Sequence, residues 1–235
     1  MPGCCLYWPL IACSNGAVVT CSVRASTERD FRLPVFSDRT GRNHLYIHVP
    51  KTGGSAIEIF LEKSGYAGSY IDRSGPGSLN PIRLCSPQHM HAAMLCAIFD
   101  IASFDSIFMT VRHPIARIVS EYRMQLNLKG QLPPFGEWAR GILRQYHRDP
   151  FTLDNHIRPQ AEFWLPGSRV FRLEDGLGAD FVERLEVLLH TKFSQRIVDP
   201  AMRFADTQNV NVSIDPELQA MLTAFYAEDF RLFCY

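Results

Sequence analysis

From residue 43 onward, short apolar runs alternate with stretches in which apolar side chains recur every three or four positions. Residues 44–49, HLYIHV, form a mostly apolar run that Pro50 closes, as it would close a buried strand. Past Gly53 and Gly54, the side chains of Ile57, Phe60 and Leu61 fall at helical spacing, so a helix is predicted to start near Gly54 or Ser55. Residues 64–88 are rich in Ser, Gly and Pro and read as an irregular excursion over the surface. A second buried strand, SIFMTV at 106–111, runs into Arg112, His113 and Pro114. Proline suits the first position of a helix, and Ile115, Ile118, Val119 and Tyr122 give that helix one apolar face. Residues 127–160 show no assignable period. A third strand at 168–174 precedes an amphipathic helix at 179–190. A last helix opens with Asp215 as cap and Pro216 just inside, followed by a stripe of Leu218, Met221, Leu222, Phe225, Tyr226 and Phe230.

Strands alternating with helices predict one α/β domain, a P-loop-like parallel sheet flanked by helices on both faces. Such folds bind ligands at the carboxyl ends of their strands. Two turns lie there, at residues 51–55 and 112–114.

Composition narrows the possibilities. The chain of 235 residues is 46% hydrophobic and 20% charged, which suits a folded protein. Lys and Arg balance Asp and Glu at 24 each, which argues against a broad grip on nucleic acid and leaves a local basic cleft open. Residues 1–23 carry no charged side chain. However, Pro9, Ser14, Asn15 and Gly16 interrupt the apolar run and no basic residue precedes it, so a partly disordered extension is the expected reading and a weak targeting segment or membrane anchor the alternative. Residues 24–42, with Pro34 and Gly41, read as a linker, which divides the chain into an extension (1–42) and a folded domain (43–235). The seven cysteines contain no C-x-x-C pair, and a reducing, cytoplasmic setting without membrane contact is the simpler reading.

The turn Lys51-Thr52-Gly53-Gly54-Ser55 has the strand, turn and helix setting of a phosphate cradle. Glycine lets the backbone approach an anion, and successive N–H groups at a helix start donate to its oxygens. Lys51 adds a charge, and the hydroxyls of Thr52 and Ser55 add donors. An ATP-binding loop of the G-x-x-x-x-G-K-[ST] type places its lysine after the glycines, whereas here it comes before them. A plain turn with a solvated lysine is the alternative. Arg112, at a strand end, and Ser120, two helical turns on, are suited to a second phosphate, because guanidinium grips a dianion well. Alternatively, Arg112 makes a structural ion pair and Ser120 is a small residue at a helix contact.

Taken together, these stretches resemble a known family. IHVPKTGGSAIE (47–58) is similar to the 5′-phosphosulfate loop of sulfotransferases that use 3′-phosphoadenosine 5′-phosphosulfate (PAPS), and FMTVRHPIARIVSEYR (108–123) to their 3′-phosphate motif. The likeness is strongest to the carbohydrate branch that includes the heparan sulfate 2-O-sulfotransferases. It spans about residues 43–235, with RPQAEFW, VFRLEDGL and YAEDFRLFCY as weaker landmarks. The resemblance implies PAPS as co-substrate, with Lys51, Thr52, Gly53, Gly54 and Ser55 around the 5′-phosphosulfate and Arg112 and Ser120 on the 3′-phosphate. It further implies transfer to a hydroxyl, or secondarily an amine, of a carbohydrate or small-molecule acceptor. Lys51 would steady the leaving phosphate without a metal.

His89 and His91 form an H-x-H like that of the 2-O-sulfotransferases, whose second histidine is the base, so His91 is the expected base here. Glu174 is the other candidate, as base or as an arginine's partner. His44 and His48 share one strand face and are expected to pack or hydrogen-bond there, while His147, His156 and His190 have no motif context. No third ligand lies at recognisable spacing from the H-x-H, so no metal is expected. Two further readings stay open, an atypical P-loop kinase and a non-catalytic nucleotide-binding module. Near-zero net charge argues against a heparan-like substrate, and a compact, bacterial-type enzyme acting on a carbohydrate or small hydroxylated molecule is the expectation.

Overall fold

The computed structural model describes residues 35–69, 72, 75, 77–199 and 210–235, so most of the predicted extension lies outside the described residues. Five strands form one sheet in the order β3-β1-β2-β4-β5. The three apolar runs become β2 (Asn43–Ile47), β4 (Ser106–Val111) and β5 (Arg169–Arg172), which are parallel neighbours. Beside them, β1 (Val35–Ser37) runs antiparallel to β2, and β3 (Ala67–Ser69) antiparallel to β1. The sheet is therefore parallel in one half only. Both antiparallel strands fall in segments read as linker and surface excursion, and three residues are too few to display an alternating pattern.

The alternation along the parallel strands explains the layers. Tyr46, Phe108 and Phe171 face one side, where α1 (Gly54–Lys63) and α5 (Ala179–Leu189) cover them with Ile57, Phe60, Leu61, Phe181 and Leu185. Leu45, Ile47, Met109 and Val111 face the other side. There they meet Leu95 of α2 (Ala92–Ile98), Phe163 of the turn Gln160–Phe163, and Phe233 of α7 (Ala227–Phe233). A third apolar cluster joins α3 (Pro114–Lys129), α4 (Phe135–Arg148) and α6 (Pro216–Phe225) through Ile118, Tyr122, Trp138, Ile142, Leu218 and Leu222.

The helix α4 occupies a stretch in which no period was assigned. Its buried residues Phe135, Trp138, Ala139, Ile142 and Leu143 do recur at helical spacing, among Gly136, Gly141 and the preceding prolines that obscure it. The capped helix at Asp215 appears as expected, with Oδ1 accepting the Leu218 N–H at 2.7 Å. It breaks at Tyr226 into α6 and α7, and the Tyr226 hydroxyl donates to the Ile157 carbonyl at 3.0 Å.

The largest fully buried side chain is Arg117, on α3, with 1% of its surface exposed. Its guanidinium donates to the carbonyls of Pro50 (3.4 Å), His156 (3.0 Å) and Arg158, and lies 5.6 Å from the Tyr226 ring centre. Its Nε has no partner among the described residues, and a charge buried in this way needs an opposite charge near it. Asp229, fully buried on α7, is that counter-charge: burial pushes its carboxyl up, and Arg117 draws it back. Asp229 in turn accepts the N–H groups of Gln160 (2.9 Å) and Ala161 (2.7 Å). Removing the guanidinium strands all of these groups, so Arg117→Ala should lose about 3–5 kcal/mol in urea denaturation. A loss below about 1 kcal/mol, the worth of one ordinary hydrogen bond, would show that Arg117 is not the tie.

Candidate active site

The cradle begins where β2 ends. Lys51 adopts φ 70° and Gly53 φ 87°, so the chain turns twice through the left-handed region before α1 starts at Gly54. For Lys51 that conformation is a strained one, found where the surroundings fix it. The anchor is a chain of hydroxyls. Thr52 Oγ1 donates to the Val49 carbonyl at 2.8 Å, so Thr110 must donate to Thr52 (2.8 Å) and Tyr46 to Thr110 (2.7 Å). Thr52 therefore directs its hydroxyl into the fold and offers an anion only its backbone N–H. Gly54 is needed for space, since a β-carbon there would lie 2.1 Å from His48 ring atoms.

Among the described residues, the N–H groups of residues 52–55 have no protein acceptor, and they sit at the amino end of α1. Lys51 is partly buried, and its Nζ meets the thioether of Met124 at 3.1 Å, a weak acceptor. Burial pushes the lysine down, Glu121 pulls it up, and Arg112 pushes it down again. An ammonium removed from water without an oxygen partner is an arrangement that an anion would relieve.

Arg112 borders the same loop, with Nη1 3.5 Å from the Lys51 carbonyl. Its backbone is clamped by Gln160, which accepts from the Arg112 N–H at 2.9 Å and donates to the Arg112 carbonyl at 2.7 Å. Ser120 lies partly buried on α3, six residues past Pro114 and so about 9 Å along the axis. Both oxygens of Glu174 are engaged, and among the described residues it pairs with no arginine. One of its oxygens accepts the His113 N–H (2.7 Å) and the other the Tyr235 hydroxyl (2.8 Å).

Three histidines gather beside the cradle, each with Nδ1 on a carboxylate. His48 meets Glu58 at 2.6 Å, His89 meets Asp154 at 2.8 Å, and His156 meets Glu121 at 2.6 Å. The His89 ring stands edge-on to the other two, 5.0 Å from His48 and 4.8 Å from His156. Burial pushes the His89 imidazole down to about 4, with Asp154 pulling the other way. Asp154 is raised by burial, but its bonds from His89 and Ser86 prevail and hold it well below the usual carboxylate range. His89 is thus neutral at pH 7, with its proton on the nitrogen facing Asp154.

The two histidines of the H-x-H diverge. His91 occupies the cap position of α2, and its ring packs toward Phe151 and Phe163 at 6.0 and 6.5 Å. Its Nδ1 is buried without a partner, and burial and Arg158 push its imidazole down. His44 and His48 do hydrogen-bond as their strand face suggests, His44 to Ser106 at 2.8 Å.

The sequence model described as "Sulfotransferase family" matches residues 38–235. The chain belongs to the sulfotransferase family. No curated protein sequence matches it. Among solved structures, a sulfotransferase from Alicyclobacillus acidocaldarius is similar at 15% identity over 81% of this chain and 93% of that one, with a TM-score of 0.49. As a PAPS-dependent sulfotransferase, the chain needs a site for a phosphosulfate, and the unmatched N–H row and half-desolvated Lys51 fit that group. No helix among the described residues is long and apolar enough to cross a membrane.

Several site residues of the sulfotransferase escaped sequence reasoning. His156 and Asp154 carry no motif, with only the Asp-Asn pair at 154–155 as a hint, and Glu121 lies within the motif at 108–123 without having been singled out. Two measurements check the geometry. Gly54→Ala forces the His48 ring to move, so affinity for adenosine 3′,5′-bisphosphate should drop roughly ten- to a hundredfold, in line with an overpacking cost of about 1–3 kcal/mol. Unchanged affinity in calorimetry would mean that the loop does not hold the nucleotide. The second concerns acid stability. Between about 6.5 and 4 the unfolded chain binds a proton at His89 that the folded chain refuses, so stability falls as pH drops through that window. Urea midpoints at pH 7 and pH 5 should differ less for His89→Gln than for the wild type, and equal differences would place the acid sensitivity elsewhere.

Proposed function

We propose that this sulfotransferase moves the sulfuryl group of PAPS to a hydroxyl of a carbohydrate or small-molecule acceptor, with residues 51–55 around the 5′-phosphosulfate and Arg112 and Ser120 on the 3′-phosphate. The observation that carries this reading is Lys51, an ammonium held against a thioether beside a row of unmatched N–H groups. PAPS supplies a sulfuryl group already joined to a good leaving phosphate. The acceptor oxygen forms a bond to sulfur as the bond from sulfur to the phosphate oxygen breaks. Lys51 meets the charge that develops on that oxygen, the acceptor proton passes to a histidine, and adenosine 3′,5′-bisphosphate departs. This scheme uses no metal.

His91 is the base implied by the H-x-H. A second reading, His89, is favoured by one contact: Asp154 holds its Nδ1–H and leaves the Nε2 lone pair as proton acceptor, the usual way a carboxylate orients a general base. The reading of the acceptor is supported by exposed side chains on the loop before Ser86. Leu79, Ile82 and Leu84 are exposed on the segment leading into Ser86, a surface better suited to a molecule with an apolar face than to a polyanion.

Calorimetry should rank adenosine 3′,5′-bisphosphate above AMP and ATP. Arg112→Ala should erase that preference at a cost of about 2 kcal/mol, roughly thirtyfold. A tighter fit for ATP would favour a kinase and sink this reading. In a sulfuryl-transfer assay containing EDTA, the variant lacking the true base should lose roughly 10²–10⁴-fold in kcat with cofactor affinity kept. If His89→Ala shows that loss and His91→Ala does not, His89 is the base. The reverse assigns His91, and strict dependence on added Mg²⁺ would show that Lys51 does not carry the leaving group's charge.

A further inference from the structure

His89, Asp154 and His156 each place one potential ligand atom within 4.8 Å of the other two. We propose that these side chains form a site for a divalent transition metal of the zinc class, and that an ion bound there holds the sulfotransferase inactive. The site itself stands on geometry alone, whereas its inhibitory effect rests on the reading in which His89 takes the acceptor proton.

The donor set comes first. Two imidazoles and one carboxylate are ligands that zinc and its neighbours favour. His89 Nδ1 and Asp154 Oδ2 are already 2.8 Å apart, close to the roughly 3.3 Å between ligands of a tetrahedral ion with bonds of about 2.0 Å. An ion entering between them displaces the shared proton to His89 Nε2. The imidazole changes tautomer, stays neutral, and no net proton is lost. His156 has Nδ1 on Glu121 at 2.6 Å, which leaves Nε2 for the metal, and such carboxylate backing is what orients a ligating histidine. The cluster must tighten by about 1.5 Å to close around an ion.

The backbone that delivers Asp154 is unusual. Leu153, Asp154 and Asn155 adopt φ 51°, 58° and 64°, three successive non-glycine residues in the left-handed region. Strain of this kind persists only where surroundings over-determine it, and it gathers at functional sites. Here Asn155 Nδ2 donates to the His89 carbonyl at 2.8 Å, and Ser86 Oγ donates to Asp154 at 2.7 Å, so the strained turn is clamped to the segment bearing His89. Asp154 and Glu121 supply negative charge against the dication, while Lys51 and Arg158 oppose it. With the ion in place, His89 carries its proton on Nε2 and has no lone pair left for the acceptor.

The test is a titration of the chelator-treated full chain with Co²⁺, without PAPS or acceptor, read by ligand-field absorption. One tightly held ion with a nitrogen and oxygen spectrum is expected. His89→Gln and His156→Gln should each weaken it about ten- to a hundredfold, and His147→Ala, at an exposed histidine, should not. In parallel, Zn²⁺ should suppress turnover of the wild type and EDTA restore it. Absence of the absorption overturns the proposal. So does a thiolate-to-cobalt band, which would place the ion on cysteine rather than on this cluster, or binding that survives in a variant carrying both His89→Gln and His156→Gln. Far-UV circular dichroism on the variants separates lost ligands from lost fold. Adenosine 3′,5′-bisphosphate binding to the same samples tests the proposed reaction separately.

Discussion

One buried guanidinium sets the positions of most of the groups discussed above. Arg117 reaches from α3 to the carbonyl just before the cradle, to the carbonyls on either side of Ile157, and to the ring of Tyr226. An arginine cannot shed its proton, so its buried donors draw acceptors to them: both terminal nitrogens of Arg117 find carbonyls, while its Nε has no partner among the described residues. This pairing fixes the loop after β2 against the segment holding His156, and through Asp229 it fixes Gln160, whose amide grips the backbone of Arg112. Cation, cradle and histidine cluster therefore share a single rigid support.

On that support the cradle is held in a high-energy arrangement. Lys51 is strained in φ and partly desolvated, and its amine meets sulfur rather than oxygen. The hydroxyl relay from Tyr46 through Thr110 and Thr52 to the Val49 carbonyl holds the loop in place from beneath. Because the support is built in advance, little reorganisation is needed when a charged ligand arrives, which is the condition for strong electrostatic stabilisation.

The three carboxylate-backed histidines are a second consequence of the same packing. His48 is positioned by β2, His156 by the segment tied to Arg117, and His89 by the clamped turn at residues 153–155. Each carboxylate fixes which imidazole nitrogen carries the proton. In the two proposals the cluster serves proton transfer or takes up a metal, and the shared geometry makes these two uses compete.

The sequence alone determined the three parallel strands, the helix starts at Gly54 and Pro114, the capped helix at Asp215, and the strand-to-helix turn from Lys51 to Ser55. These features are written in local chemistry: period, cap residues and glycine spacing act within a few positions of one another. The same local signal was present in α4 but masked by its glycines and neighbouring prolines. Only the tertiary structure decided the antiparallel half of the sheet, the inward turn of the Thr52 hydroxyl, the engagement of both Glu174 oxygens, and the divergence of His89 from His91. It alone joined His89 to Asp154, 65 residues away, and buried Arg117 under the cradle. Contacts between distant segments depend on how helices pack on the sheet, and no short-range pattern records which face of a loop will meet which partner.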